Sequence, residues 1–221
     1  PLLPKGLRII RWDKRGHGLS SVPSGPYKMG ALISDCERLL DHLEVKDCAF
    51  VGLSIGGMIA QGLAVKRLDL IRSMVLSNTA AKIGNPALWD DRIAAVYAGG
   101  IESLADAVME RWFSADFRAK PELELWRNML VQQANDGYAG CSAAISGTDF
   151  YTPTSGLRLP CLGIAGTEDG STPPDLVRET TDLIPGSKFH LIRRAGHLPC
   201  VEQPEEYARV LTEFLHSTGH I

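Results

Sequence analysis

Apolar and polar positions alternate in blocks along the first third of the chain. Residues 7–12, 45–51 and 71–77 are short apolar runs with the length of buried strands. Between the first two, Leu32, Ile33, Cys36, Leu39, Leu40 and Leu43 fall at helical spacing within 29–43, the stripe of a helix packed on a sheet. Between the second and third, a mix of apolar and small residues after Ser54 predicts another helix to about Arg67. The order β-α-β-α-β predicts a parallel sheet covered by helices on both faces.

The alternation then stops. Residues 83–151 hold no strand pattern, only helical segments at 89–97, 101–113, 121–133 and 138–146. Asn85-Pro86, Gly99-Gly100 and Asn135-Asp136-Gly137 punctuate them. This reads as a helical cap inserted between strands. It carries Trp89, Trp112 and Trp126 together with Arg92, Arg111 and Arg127. Any one of these aromatics reads as packing of the cap onto itself. As a group they would wall an apolar pocket with a cation for a carboxylate-bearing ligand. The sheet resumes at 160–165, followed by a helix at 174–183, a strand at 188–192 and a last helix at 204–215. The expected organisation is a core α/β unit over 1–82, a cap over 83–152 and the rest of the core over 153–221.

The candidate chemistry sits at the strand ends. Residues 49–51 run into Gly52-Leu53-Ser54-Ile55-Gly56, a G-x-S-x-G pattern between a strand and a helix. Such a tight turn strains the serine and lifts its hydroxyl above the sheet, and the helix N-terminus behind it favours negative charge. The glycines two before and two after Ser54 are expected to make room for the crowded backbone. A serine hydroxyl is a poor nucleophile until a base takes its proton, and imidazole serves when a carboxylate holds its other nitrogen. The turn Gly166-Thr167-Glu168-Asp169 offers that acid, and His197 follows the strand at 188–192. Ser54, Asp169, His197 is the chain order of a triad whose serine sits in an elbow. Asp169 is preferred to its neighbour Glu168 because it lies deeper in the turn. The loop after the strand at 71–77 offers Asn78 rather than a carboxylate. His17, between two glycines, reads as an anchor of its loop, and His190 as a strand residue.

Composition narrows the field further. The 221 residues, 44% hydrophobic and 22% charged, suit an ordinary globular chain. A net charge of −3 gives no electrostatic reason to expect nucleic acid or an anionic membrane as partner. Five cysteines without CxxC spacing read as reduced thiols of a cytoplasmic protein. No signal peptide and no apolar run of membrane-spanning length is visible.

Asp13-x-Arg15-Gly16-His17-Gly18-x-Ser20, Gly52 to Gly57, Gly166 to Asp169 and Gly196-His197 together resemble the α/β-hydrolase superfamily over nearly the whole chain. Within it, Ser77 to Gly84, Trp89-x-x-Arg92-Ile93 and Glu110-Arg111-Trp112-Phe113 look like the 3-oxoadipate enol-lactonases. The resemblance implies a serine hydrolase that opens the enol-lactone ester in aromatic breakdown, without metal or organic cofactor. It implies an α/β-hydrolase fold with an inserted helical cap, the Ile55 amide as one oxyanion donor, and Arg111 or Arg127 for the substrate's carboxylate. Trp89, Trp112 and Trp126 would wall the same pocket. It also implies three strands and a second oxyanion donor ahead of residue 7, in a segment outside this sequence. A carbon–carbon bond hydrolase, esterase or haloperoxidase on the same scaffold, and a small-ligand receptor without turnover, are the alternatives. The oligomeric state is not readable from the sequence.

Overall fold

The computed structural model describes residues 2–221. Strands β1 (Cys48–Leu53), β2 (Ile71–Ser77), β3 (Cys161–Gly166) and β4 (Lys188–Ile192) form a parallel sheet in chain order. Leu53 lies opposite Ser77, Ser77 opposite Ile164, and Gly166 opposite Ile192. The carboxyl ends are therefore nearly level, and the loops at Ser54, Asn78, Thr167 and Arg193 leave from one rim.

Strands β2 and β3 are buried nearly throughout because both faces are covered, whereas the edge strand β4 fully buries only Ile192. Met74, Leu76 and Cys161 point into a cluster with α1 (Met29–His42) and α2 (Ile55–Lys66). Val75, Leu162, Ile164 and Ile192 point the other way, onto α11 (Pro204–Ser217). Helix α1 buries Leu32, Ile33, Cys36 and Leu40, one stripe of the expected pattern. Helix α2 is buried from Gly57 to Ala64 with little amphipathic contrast, as befits a helix held between a sheet and another helix. Helix α9 (Pro174–Asp182) fills the crossover between β3 and β4, and α10 (Pro199–Glu202) precedes α11.

Between β2 and β3 the chain forms α3 (Pro86–Gly99), a 3-10 turn (Ile101–Leu104), α4 (Ala105–Trp112), α5 (Ala115–Arg118), α6 (Leu123–Val131), α7 (Asn135–Ser146) and α8 (Tyr151–Ser155). Asn85 caps α3, its Oδ1 accepting from Leu88 N at 3.0 Å, with Pro86 at the first position. Val96, Val108, Met109, Phe113, Phe117 and Leu130 give these helices a core of their own. The four- and five-residue helices α5, α8 and α10 are too short to leave a periodic signature.

One expected element is not a strand. Residues 7–12 carry no ladder, because among the described residues β1 exchanges strand hydrogen bonds only with β2. A strand exists through its neighbour, and this segment docks by side chains instead. Leu7 packs on the α11 side, Ile10 and Trp12 on the α1 side, and the Trp12 ring meets Phe50 edge-on at 5.9 Å. Among the described residues no helix is long and apolar enough to cross a membrane.

Helix α7 reaches the 13–20 loop by backbone contact. A Cβ on Gly137 would stand 1.9 Å from Gly16 O, and Gly16 holds φ +77°. Gly137→Ala is therefore expected to lower stability by about 1–3 kcal/mol. Gly30→Ala, where a Cβ meets nothing within 4 Å, is expected to be neutral or stabilising by up to about 1 kcal/mol. Urea midpoints at constant slope measure both.

Candidate active site

Ser54 sits at φ 54°, ψ −122°, a conformation that side chains rarely adopt. The elbow is sewn to the end of β2: Ser54 N donates to Ser77 O at 3.0 Å, and Thr79 Oγ1 to Ser54 O at 2.6 Å. A Cβ on Gly52 would stand 2.3 Å from Gly56 O, so the glycine two before the serine is needed for close approach. The glycine two after it is not. Gly56 has open space, whereas a Cβ on Gly57 would lie 2.4 Å from Thr79 Cγ2. The crowding falls there because α2 packs its next residue against the β2 loop. Ile55 opens α2 and carries one of the N–H groups that a helix start leaves without an internal partner.

Asp169 leaves the end of β3 and is buried, at 5% exposure. Its Oδ1 accepts from Ser171 N at 2.7 Å and Thr172 N at 3.0 Å. Its Oδ2 accepts from Thr172 Oγ1 at 2.8 Å, Asn78 Nδ2 at 2.9 Å and His197 Nδ1 at 2.8 Å. Burial pushes this carboxyl's pKa up, but the hydrogen bonds and charge from His197, with those from Asn78 and Thr172, outweigh it and hold it below the usual range. Glu168 turns elsewhere, accepting from Ala115 N at 3.1 Å.

His197 follows β4 after a turn through Arg194, which holds φ 54°. Its Nδ1 faces an acceptor-only carboxylate, so that nitrogen carries the proton and Nε2 keeps its lone pair. The Trp112 ring stacks on the imidazole at 6.1 Å and 28°, and His197 N donates to Trp112 O at 2.8 Å. Ser54 and His197 thus stand at the same rim, linked through Ser77 and Asn78. Among the described residues no hydrogen bond joins Ser54 Oγ to His197, a looseness common before substrate tightens a site.

The segment from Arg111 to Ala115 is tied to both loops. Gly170 N donates to Arg111 O at 3.0 Å, and Ser114 N to Glu202 Oε2 at 3.0 Å. Arg111 Nε is buried without a partner, and burial followed by the charge of Arg92 pulls its pKa down. Arg92 lies over the Trp89 ring at 4.6 Å. Trp89 itself is buried, its Nε1 donating to Ile83 O at 2.6 Å. Trp126 packs on Phe113 at 6.0 Å within the cluster formed by the helices between β2 and β3. Arg127, expected as an alternative cation for substrate, is committed to Asp106 at 2.8 Å and Glu102 at 2.6 Å. These exposed carboxylates precede it in the 3-10 turn and α4, a pairing that sequence spacing does not reveal. Asn78, Thr172 and Glu202 join the cluster without having been singled out as site residues, whereas Arg92 is among the expected pocket cations. A polar residue directly after a strand, as at Asn78, was the one available signal.

The alpha/beta hydrolase family profile matches residues 1–210. The chain belongs to that family. It is 34% identical to 3-oxoadipate enol-lactonase 2 of Acinetobacter baylyi, over 90% of this chain and 75% of the relative. The enol-lactonase of Burkholderia xenovorans LB400 superposes with a TM-score of 0.89 at 35% identity, covering 92% of this chain and 79% of that one. A hydrolase from Pseudomonas aeruginosa PA01 does so at 0.88 and 38%, covering 93% and 78%. These relatives make the chain a carboxylic ester hydrolase.

His17 lies outside this cluster, its Nδ1 3.4 Å from Arg15 O and 4.0 Å from Cys141 Sγ. Burial, then the Lys14 charge, pushes its pKa down to about 4. The unfolded chain, with histidine near 6.5, binds the proton first. Stability is then expected to fall as pH drops from about 6.5 to about 4, by up to about 3 kcal/mol. Urea titration of His17→Gln beside the parent should show that slope reduced.

Proposed function

We propose that the chain is a serine hydrolase that opens the ester of 3-oxoadipate enol-lactone through an acyl-enzyme, a step in aromatic breakdown. The buried contact between His197 Nδ1 and Asp169 Oδ2, at the rim that carries the strained Ser54, is the observation that carries this reading. Similarity to two enol-lactonases supports the substrate class.

In the proposed sequence, His197 Nε2 takes the Ser54 proton as Oγ attacks the lactone carbonyl. The Ile55 amide donates to the oxyanion, a kind of contact worth about 10²–10³ in rate. The carbon–oxygen bond of the ring breaks, His197 returns its proton, and the enol released tautomerises to the ketone. The opened chain stays attached as its acyl-enzyme until water, deprotonated by His197, releases the dicarboxylate. Asp169 keeps the imidazole in the required tautomer throughout. The sequence needs no metal or organic cofactor. Arg111, with its unpartnered buried Nε and Arg92 beside it, is the proposed cation for the substrate's free carboxylate. Trp112 walls the same space through its stack on His197.

The ultraviolet progress curve of enol-lactone opening tests the whole reading. Ser54→Ala is expected to abolish turnover and Asp169→Asn to reduce kcat by about 10⁴-fold. Turnover of p-nitrophenyl acetate without enol-lactone opening would retain the serine hydrolase and discard the substrate. Arg111→Ala is expected to raise KM by about 10- to 100-fold, the loss of a charged hydrogen bond, with kcat less affected. Unchanged kinetics would remove Arg111 from the site.

A further inference from the structure

The peptide of Gly196, directly before His197, is gripped on both sides by buried side chains. Gly196 N donates to Glu202 Oε1 at 2.6 Å, and Gly196 O accepts from Asn78 Nδ2 at 3.2 Å. Asn78 is fully buried and Glu202 is 9% exposed. A Cβ at Gly196 would stand 2.5 Å from Trp112 O, so this position admits no side chain that could anchor the loop itself. Each gripping residue also holds a second group that touches the His197 ring or its immediate support. Asn78 donates to Asp169 Oδ2 at 2.9 Å while its Oδ1 accepts from Ser77 Oγ at 3.0 Å, all from a left-handed backbone at φ 46°. The second oxygen of Glu202 accepts from Ser114 N at 3.0 Å and from Ser114 Oγ, next to the Trp112 segment that stacks on the ring.

We infer that Asn78 and Glu202 are positioning residues that together fix the direction of the His197 imidazole. Insofar as the ring's task is to take the Ser54 proton, this rests on the hydrolase proposed above. The ring is aimed by the place of its own backbone, by the carboxylate on Nδ1 and by the indole on its face. Asn78 governs the first two and Glu202 the first and third. Displacing a reacting group by about 1 Å costs up to about 10²-fold in rate, which is the scale on which such a clamp acts. The two members are distinguishable. Asn78 touches Asp169 directly, so its removal takes a donor from the oxygen that holds His197 Nδ1. Glu202 touches only backbone and a hydroxyl and leaves the charge on Asp169 unaltered.

The test uses Asn78→Ala and Glu202→Gln, with kcat for p-nitrophenyl acetate referred to Ser54 sites titrated by a phosphonate. It also uses the proton resonance of His197 Nδ1–H, which requires no turnover. Asn78→Ala is expected to lower kcat by about 10- to 100-fold and to shift the resonance, because Asp169 Oδ2 accepts from both Asn78 and His197. Glu202→Gln is expected to lower kcat by about 10-fold with KM unmoved, and to broaden the resonance without shifting it. If Asn78→Ala does not fold, Asn78→Ser, which keeps a hydroxyl donor, carries the same readouts. Variants that lose thermal stability yet keep the parent's kcat per titrated site and an unmoved resonance would overturn the clamp. If the parent shows no Ser54-dependent turnover, the hydrolase reading falls on its own. The resonance then decides: changed in both variants upholds the clamp, unchanged in both overturns it.

Discussion

Asp169 carries a negative charge in a place where its side chain has no access to water. An isolated carboxylate moved into such an environment costs several kcal/mol, even after relaxation. Every nearby element is arranged to offset that cost. Donors arrive from its own turn through Ser171 and Thr172, from the end of β2 through Asn78, and from the loop after β4 through His197. This requires three neighbouring strands to finish at one level, which the parallel register provides. The carboxylate's lone pairs are consequently filled, and its orientation leaves His197 one way to face.

A second set of constraints joins the helices above the sheet to the loops below them. Arg111 O and Trp112 O accept from Gly170 N and His197 N, while Glu202 and Glu168 take the N–H groups of Ser114 and Ala115. The bonds come from four of the five residues 111–115, so the segment is held at many points rather than at a pivot. Rigidity at this seam is what electrostatic preorganisation asks for, since groups already in place need not reorganise during reaction.

Much of this was legible in the sequence, for reasons that can be assigned. β2 and β4 appear at their expected bounds because each is a short, mainly apolar run bounded by turn residues. The elbow at Ser54 is legible because strand, glycine and helix must coincide there. Residues 7–12 have the same apolar character as a strand, but composition cannot report whether a ladder partner stands alongside. Arg127 and Arg111 look alike in sequence; only folding shows the first neutralised by Asp106 and Glu102 and the second lacking a partner at Nε. Glu202 is one more acidic residue near a helix start until the chain brings Gly196 and Ser114 to its two oxygens. Long-range polar pairing of this kind leaves no periodic trace.

Helices α4, α5 and α6 pack around a cluster distinct from the two that flank the sheet, whereas α3 and α7 also send Trp89, Cys141 and Ala144 into the cluster on the α1 and α2 side. Two hydrophobic interiors so separated can diverge at different rates. Substitutions within α4 and α6 can reshape the wall above the rim while the strained elbow and the saturated carboxylate stay as they are. The seam from Arg111 to Ala115 and the inner faces of α3 and α7 are exceptions, because they belong to both layers. A scaffold divided in this way can change what it recognises without rebuilding how it reacts.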